Sequence, residues 1–166
     1  MPGSYGIATA VDSSQFQGNE GTYTDYYVSV DLVDESQPFQ RVSVVLHSDT
    51  GLFAGGPIET GTYVIEGGET DYVTCSACVY LSVDDGDTPS TQYMASTGKV
   101  RIDSVGAEVH GEIISVELRQ FETVYSGAAC PGEGEWPCGN EACSEGHCGV
   151  MNEVEECQTS IASLEF

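Results

Sequence analysis

Cysteine is the residue type whose spacing carries the most chemistry in this chain of 166 residues. Seven are present: Cys75, Cys78, Cys130, Cys138, Cys143, Cys148 and Cys157. Cys75-Ser76-Ala77-Cys78 has the spacing of a dithiol redox centre. Such a centre needs a helix N-terminus after a βαβ-type strand to lower its thiol pKa, and this motif sits inside an alternating apolar run instead. Zinc is a second chemistry, with Cys143-x3-His147-Cys148 as ligands and Cys75-x2-Cys78 to complete a site. Structural zinc normally draws on two tight Cys or His pairs, and the chain lacks that clean spacing. The cysteines are therefore read as structural disulfides of an oxidising compartment, with one left over that is free or bonded between subunits. On a regular strand, residues three apart face opposite ways with Cα atoms about 10 Å apart. A disulfide needs Cα atoms within about 7 Å. Either the strand kinks at this motif, or Cys75 and Cys78 bond to different partners.

Carboxylates come next. Asp84, Asp85 and Asp87 crowd one turn around Gly86, with Glu66, Glu69 and Asp71 in the turn one strand earlier. Calcium takes six to eight oxygens, mostly carboxylate and carbonyl, so Asp84, Asp85 and Asp87 are the candidate metal ligands and calcium the one candidate cofactor. The spacing is not that of an EF-hand, and in so acidic a chain a solvated hairpin is the competing reading. Asp49-Thr50-Gly51 matches an aspartic-protease triplet in type, but it occurs once and consists of ordinary turn residues. His47, His110 and His147 are far apart in sequence, and no Gly-x-Ser-x-Gly, His-Glu-x-x-His or P-loop occurs. Tyrosine is the remaining lead. With Val28 and Val79 facing the core, Tyr27 and Tyr80 project from the opposite face together with Tyr72, where they can stack on a glycan or simply cover neighbouring strands.

These residues must be positioned by strands. Tyr26, Val28, Val30 and Leu32 share one face of a run over 25–33, and Val42, Val44 and Leu46 share one face of the next. The longest run, 72–83, places Val73, Cys75, Ala77, Val79, Leu81 and Val83 together. Gly, Asp, Asn and Pro separate the runs, and helical periodicity with caps is missing. In the run 107–121, Val109, Gly111 and Ile113 have one parity, whereas Ile114, Val116 and Leu118 have the other; a bulge or a change of sheet would reconcile them. About nine short strands predict an all-β fold, a two-layer antiparallel β-sandwich of jelly-roll type. Residues 1–166 form a single domain. Residues 126–157, rich in Gly, Glu and Cys, read as a disulfide-stapled loop inserted before the last strand, 159–166.

Charge limits the partners. Twenty-seven acidic residues against four basic ones give −23. Spread over about 8,000 Å², that is roughly one net charge per 350 Å², some 18 Å apart, against a Debye length of about 8 Å at physiological salt. A nucleic-acid partner is excluded, because phosphate binding needs a basic stripe. Apolar runs fall well short of the roughly 20 residues of a transmembrane segment. The first residues, Met1-Pro2-Gly3-Ser4, lack a basic region followed by an apolar one, as expected of a mature chain from which any targeting segment is absent.

One succession goes beyond pattern. Residues 71–81, Asp-Tyr-Val-Thr-Cys-Ser-Ala-Cys-Val-Tyr-Leu, precede Tyr93-Met94-Ala95-Ser96-Thr97-Gly98-Lys99-Val100, then Gly111-Glu112-Ile113-Ile114, and then Cys157 ahead of a last strand ending in Phe166. Over its second half the chain thus resembles a loosely defined group of secreted proteins and lipoproteins of myxobacteria and their relatives. The resemblance implies a β-sandwich at the cell surface and carries no enzyme activity with it. The chain departs from the group in its inserted Cys130 to Cys148 cluster.

Together these features lead us to expect a non-catalytic structural or cell-surface protein outside the cell, self-associating through sheet edges as in an extracellular filament. The alternating run Tyr5 to Val11 is the candidate donor strand. A calcium-dependent carbohydrate-binding module is the alternative, and a secreted hydrolase the least supported.

Overall fold

The computed structural model describes residues 8–17, 23–32, 39–71, 74–84, 91–129, 142–144 and 147–166. Among them the chain forms β1 (Ala8–Gln17), β2 (Thr24–Leu32), β3 (Phe39–Leu46), β4 (Gly61–Ile65), β5 (Ala77–Asp84), β6 (Thr91–Ser104), β7 (His110–Ala129), β8 (Ala142–Ser144) and β9 (His147–Glu165). Two short 3-10 turns, Gly51–Phe53 and Gly67–Thr70, flank β4. Period two decides which face is buried: Val28, Val30, Val42, Val44, Leu46, Val79 and Leu81 are all at most 2% exposed. Branched side chains suit this pleated, close-packed setting, and burying each is worth about 1.5–3 kcal/mol.

The all-β, antiparallel expectation holds, and the strands hydrogen-bond into one sheet. Its order is β1-β2-β3-β5-β6-β7-β9-β8, with β4 pairing β6 off that path. Most neighbours are consecutive in the chain, as in a meander. β6 pairs β5 through Thr91 to Met94, and then takes β4 as its partner through Gly98 to Ile102. Its register with β7 shifts between Ala95 and Thr97 and again between Thr97 and Lys99. This irregularity is where β6 passes from one partner to the other. Beyond it, Ile65, Val100, Ile102, Ile113 and Phe166 join Val28, Val44 and Val79 in a single apolar cluster. The Tyr26 hydroxyl donates to the Gly106 carbonyl at 3.0 Å, tying β2 to the turn between β6 and β7, strands that are not its neighbours in the sheet.

The parity change in β7 is a bulge at Ser115. Against β6, Ile114 pairs Lys99 and Glu117 pairs Thr97, so Ser115 and Val116 stand opposite the single residue Gly98. Its φ is +50°. Ile113 before it and Val116 and Leu118 after it are all fully buried, which a straight strand would not permit. Gly98 lies on the opposing strand with φ +129°, where a Cβ would come within 2.5 Å of Val116 Cγ2 and 2.7 Å of Val116 Cα.

Within 126–157, read from composition as an inserted loop, the two ends are strand. β7 continues to Ala129, β9 begins at His147, and they pair from Phe121↔Glu153 to Ala129↔His147. β8 adds to the other edge of β9. A ladder needs only backbone groups and a partner, so a Gly- and Glu-rich composition hides it.

Candidate functional site

The Cys-x-x-Cys segment is buried and held by a dense set of hydrogen bonds. β5 begins at Ala77, later than the expected run from 72, because Thr74 and Cys75 turn back to donate their N–H groups to Asp71 O at 3.2 and 2.9 Å. The turn shortens the Cα separation of Cys75 and Cys78 to 5.4 Å, and the two form a disulfide. The kink is thus the correct alternative of the two. It moves Cys75 out of the core face: both cysteines pack with Met94, Val45, Tyr80 and Phe121 on the other side of the sheet.

Glu69 holds this loop from beneath. Its carboxylate accepts from Ser76 N at 2.7 Å, Ala77 N at 2.8 Å and Ser76 Oγ at 2.9 Å. Ser76 Oγ in turn accepts from Leu52 N at 2.9 Å, so one buried carboxylate joins the disulfide loop to the Gly51–Phe53 turn. Sequence counting placed Glu69 in an acidic turn available to a cation; the fold spends its oxygens on backbone donors instead. Exchange chemistry at Cys75–Cys78 needs a thiolate to reach a sulfur, and the two residues are only 3% and 1% exposed. The arrangement is a staple.

Two of the three candidate tyrosines come together. Cross-strand partners share a face, and the register runs Tyr27↔Val45↔Cys78 and Ser29↔Ser43↔Tyr80. Tyr27 and Tyr80 therefore lie on the face opposite Val28, Val44 and Val79, in adjacent rows. Both are half-buried. Tyr27 Oη and Ser43 Oγ are 2.9 Å apart, and the Tyr80 hydroxyl lies 3.5 Å from Cys75 Sγ. Their hydroxyls thus reach Ser43 on the adjacent strand and Cys75 of the disulfide. A third row crosses the same face as Asp31↔Arg41↔Ser82↔Gln92↔Phe121↔Glu153. Arg41 makes two bonds to Asp31, at 2.6 and 3.2 Å, and Ser82 Oγ donates to Gln92 Oε1 at 2.8 Å. Tyr72 lies outside the described residues.

A histidine, a serine and an aspartate meet where the sequence did not point. Asp25 Oδ1 accepts from Ser48 N at 2.7 Å and Ser48 Oγ at 2.5 Å, while Oδ2 is 3.2 Å from His47 Nδ1. The only available signal was register: Tyr26 opposite Leu46 puts Asp25 beside His47. An acyl-transfer relay needs the serine hydroxyl on the imidazole's other nitrogen. Here the carboxylate binds both partners, so the trio fastens the start of β2 to the chain leaving β3.

Asp84 is the exposed last residue of β5, and Asp85 and Asp87 lie outside the described residues. Among the described residues, groups of three or more His, Cys, Asp or Glu able to hold a metal ion are absent. Cys130 and Cys138 also lie outside them. Cys143 falls on β8, and Cys148 and Cys157 on β9. An open cleft of about 660 Å³ lies between β4 and the Gly51–Phe53 turn, with Leu52, Val64, Glu66 and Thr74 on its walls. Tyr63 beside it has its hydroxyl pushed up from 10.0 by burial first and by Glu59 second. Among the described residues no helix is long and apolar enough to cross a membrane. Compared with protein-family models, curated proteins and solved structures, the chain matches none of them.

Proposed function

We propose that this is a non-catalytic extracellular protein of the cell surface, which assembles by exchanging its N-terminal strand between copies. The observation that carries this is the position of β1. It closes one end of the sheet, and its ladder to β2 runs from Ala8↔Leu32 to Gln17↔Thr24. Backbone hydrogen bonds of this kind are met equally well by β1 of another copy, which is how strand donation works. β1 carries one charged residue, Asp12, so its transfer brings little of the molecule's −23 charge to the contact. Disulfides support the extracellular placement, and the buried Cys75–Cys78 bond suits a subunit that must endure there.

The test compares the full chain with a variant lacking residues 1–17, by light scattering over a range of concentrations. The full chain is expected to form concentration-dependent oligomers, and the shortened one to remain monomeric and to bind a synthetic peptide of residues 1–17. A full chain that stays monomeric throughout, beside a shortened chain that ignores the peptide, overturns the proposal.

A further inference from the structure

We propose that Cys143 and Cys148 are joined by a disulfide across the hairpin of β8 and β9, a pairing that backbone register alone singles out. β8 and β9 are antiparallel, with partners Ala142↔Gly149, Cys143↔Cys148 and Ser144↔His147. Two residues, Glu145 and Gly146, separate the last pair. In a two-residue hairpin the pair that flanks the loop exchanges both backbone hydrogen bonds, so the next pair outward does not. Cys143 and Cys148 occupy that next pair. Cα atoms there are about 4.5 Å apart, inside the window of roughly 4.4–6.8 Å that a disulfide accepts. Among the described residues this is the one rung with a cysteine on both strands.

Zinc held by Cys143, His147 and Cys148 is the rival chemistry. On a strand, adjacent residues occupy opposite faces, so His147 and Cys148 fall on different faces of β9. The disulfide forms by exchange. A small-molecule or oxidoreductase disulfide accepts two electrons and two protons and leaves as two thiols, while the two cysteine sulfurs bond to each other. With Cys75–Cys78 already bonded, Cys130, Cys138 and Cys157 remain, an odd number. Only the supply of oxidant in the cell rests on the extracellular placement proposed above. The pairing itself is tested on purified chain and stands or falls separately.

The full chain is reduced, refolded in a glutathione redox buffer with a metal chelator, denatured at mildly acidic pH without reductant, and cut by a glutamyl endopeptidase. Cleavage after Glu141, Glu145 and Glu153 releases residues 142–145 and 146–153. The expected product is these two peptides joined, parting only on reduction. Either cysteine found linked elsewhere or alkylated as a free thiol overturns the proposal. So does protection of both thiols from oxidation by one equivalent of zinc. In a Cys143→Ser variant one further thiol, at Cys148, is expected to become alkylatable after denaturation; an unchanged thiol count overturns the pairing.

Discussion

At the scale of single residues, the bulge in β7 is where backbone geometry and side-chain choice are in conflict. Ser115 sits at φ +50°, a conformation that costs an L-residue about 1–2 kcal/mol and costs glycine almost nothing. Replacing Ser115 with glycine is therefore expected to stabilise the fold by about 1 kcal/mol, less the greater unfolded-state freedom of glycine. Gly98 has the opposite logic. A Cβ there meets the Val116 backbone at 2.7 Å, and backbone cannot yield as a flexible side-chain end can. Gly98→Ala is expected to lose more than about 2 kcal/mol. Urea unfolding midpoints of the two variants check both signs, and a stabilising Gly98→Ala would contradict the close approach. The bulge itself was legible in the parity change between Ile113 and Ile114, because burial on one face leaves a strand few other ways to accommodate two adjacent apolar residues. That Ser115 is the residue that bulges was not legible, since no local preference favours serine there.

At the scale of elements, the staple at the start of β5 shows how a short covalent loop contributes. Cys75 and Cys78 close a loop of four residues, for which the chain-entropy account gives about 2 kcal/mol. Glu69 binds Ser76 and Ala77 inside the same loop, so the bond also keeps these donors in reach of one carboxylate. A Cys75→Ala, Cys78→Ala double variant is expected to lose about 2–4 kcal/mol, the upper part from lost packing beside Met94 and Val45. Hydrogen exchange should locate the added opening at Ser76 and Ala77 and leave the β2–β3 ladder protected. A midpoint unchanged within about 0.5 kcal/mol would show that the clamp holds the loop alone. Sequence spacing posed the question of this pair but left both answers open. The answer depends on Asp71 accepting two backbone bonds, which is a property of the folded turn.

At the scale of the molecule, the charge is the dominant physical fact. Over an accessible surface of 9600 Å², a net charge of −23 is about one per 420 Å², so neighbouring net charges lie roughly 20 Å apart. The Debye length is about 30 Å at 0.01 M salt and about 8 Å at 0.15 M. Repulsion is therefore felt in the first condition and screened in the second. The melting temperature is expected to rise by about 5 °C between 0.01 M and 0.5 M sodium chloride. The proposed assembly through β1, which would bring two acidic copies together, is expected to strengthen over the same range. Calorimetry and light scattering on one salt series read both, and a flat melting temperature would show that local pairs such as Arg41–Asp31 and Arg119–Glu153 absorb the repulsion.

What the sequence determined by itself is local. Alternation placed Val28, Val30, Val42, Val44, Val79 and Leu81 on buried faces, and Tyr27 and Tyr80 on the other, because period two follows from the pleat of a single strand. Composition determined the net charge of −23. Tertiary structure decided which strands pair and in what register, since backbone groups pair without regard to the residue that bears them. From that came the passage of β6 from β5 to β4, the β7–β9 ladder running into a segment that composition reads as loop, and the meeting of Asp25 with His47 and Ser48. It also turned Glu69 inward and folded Cys75 back toward Cys78, giving the opening cysteine motif a buried bond in place of a reactive one.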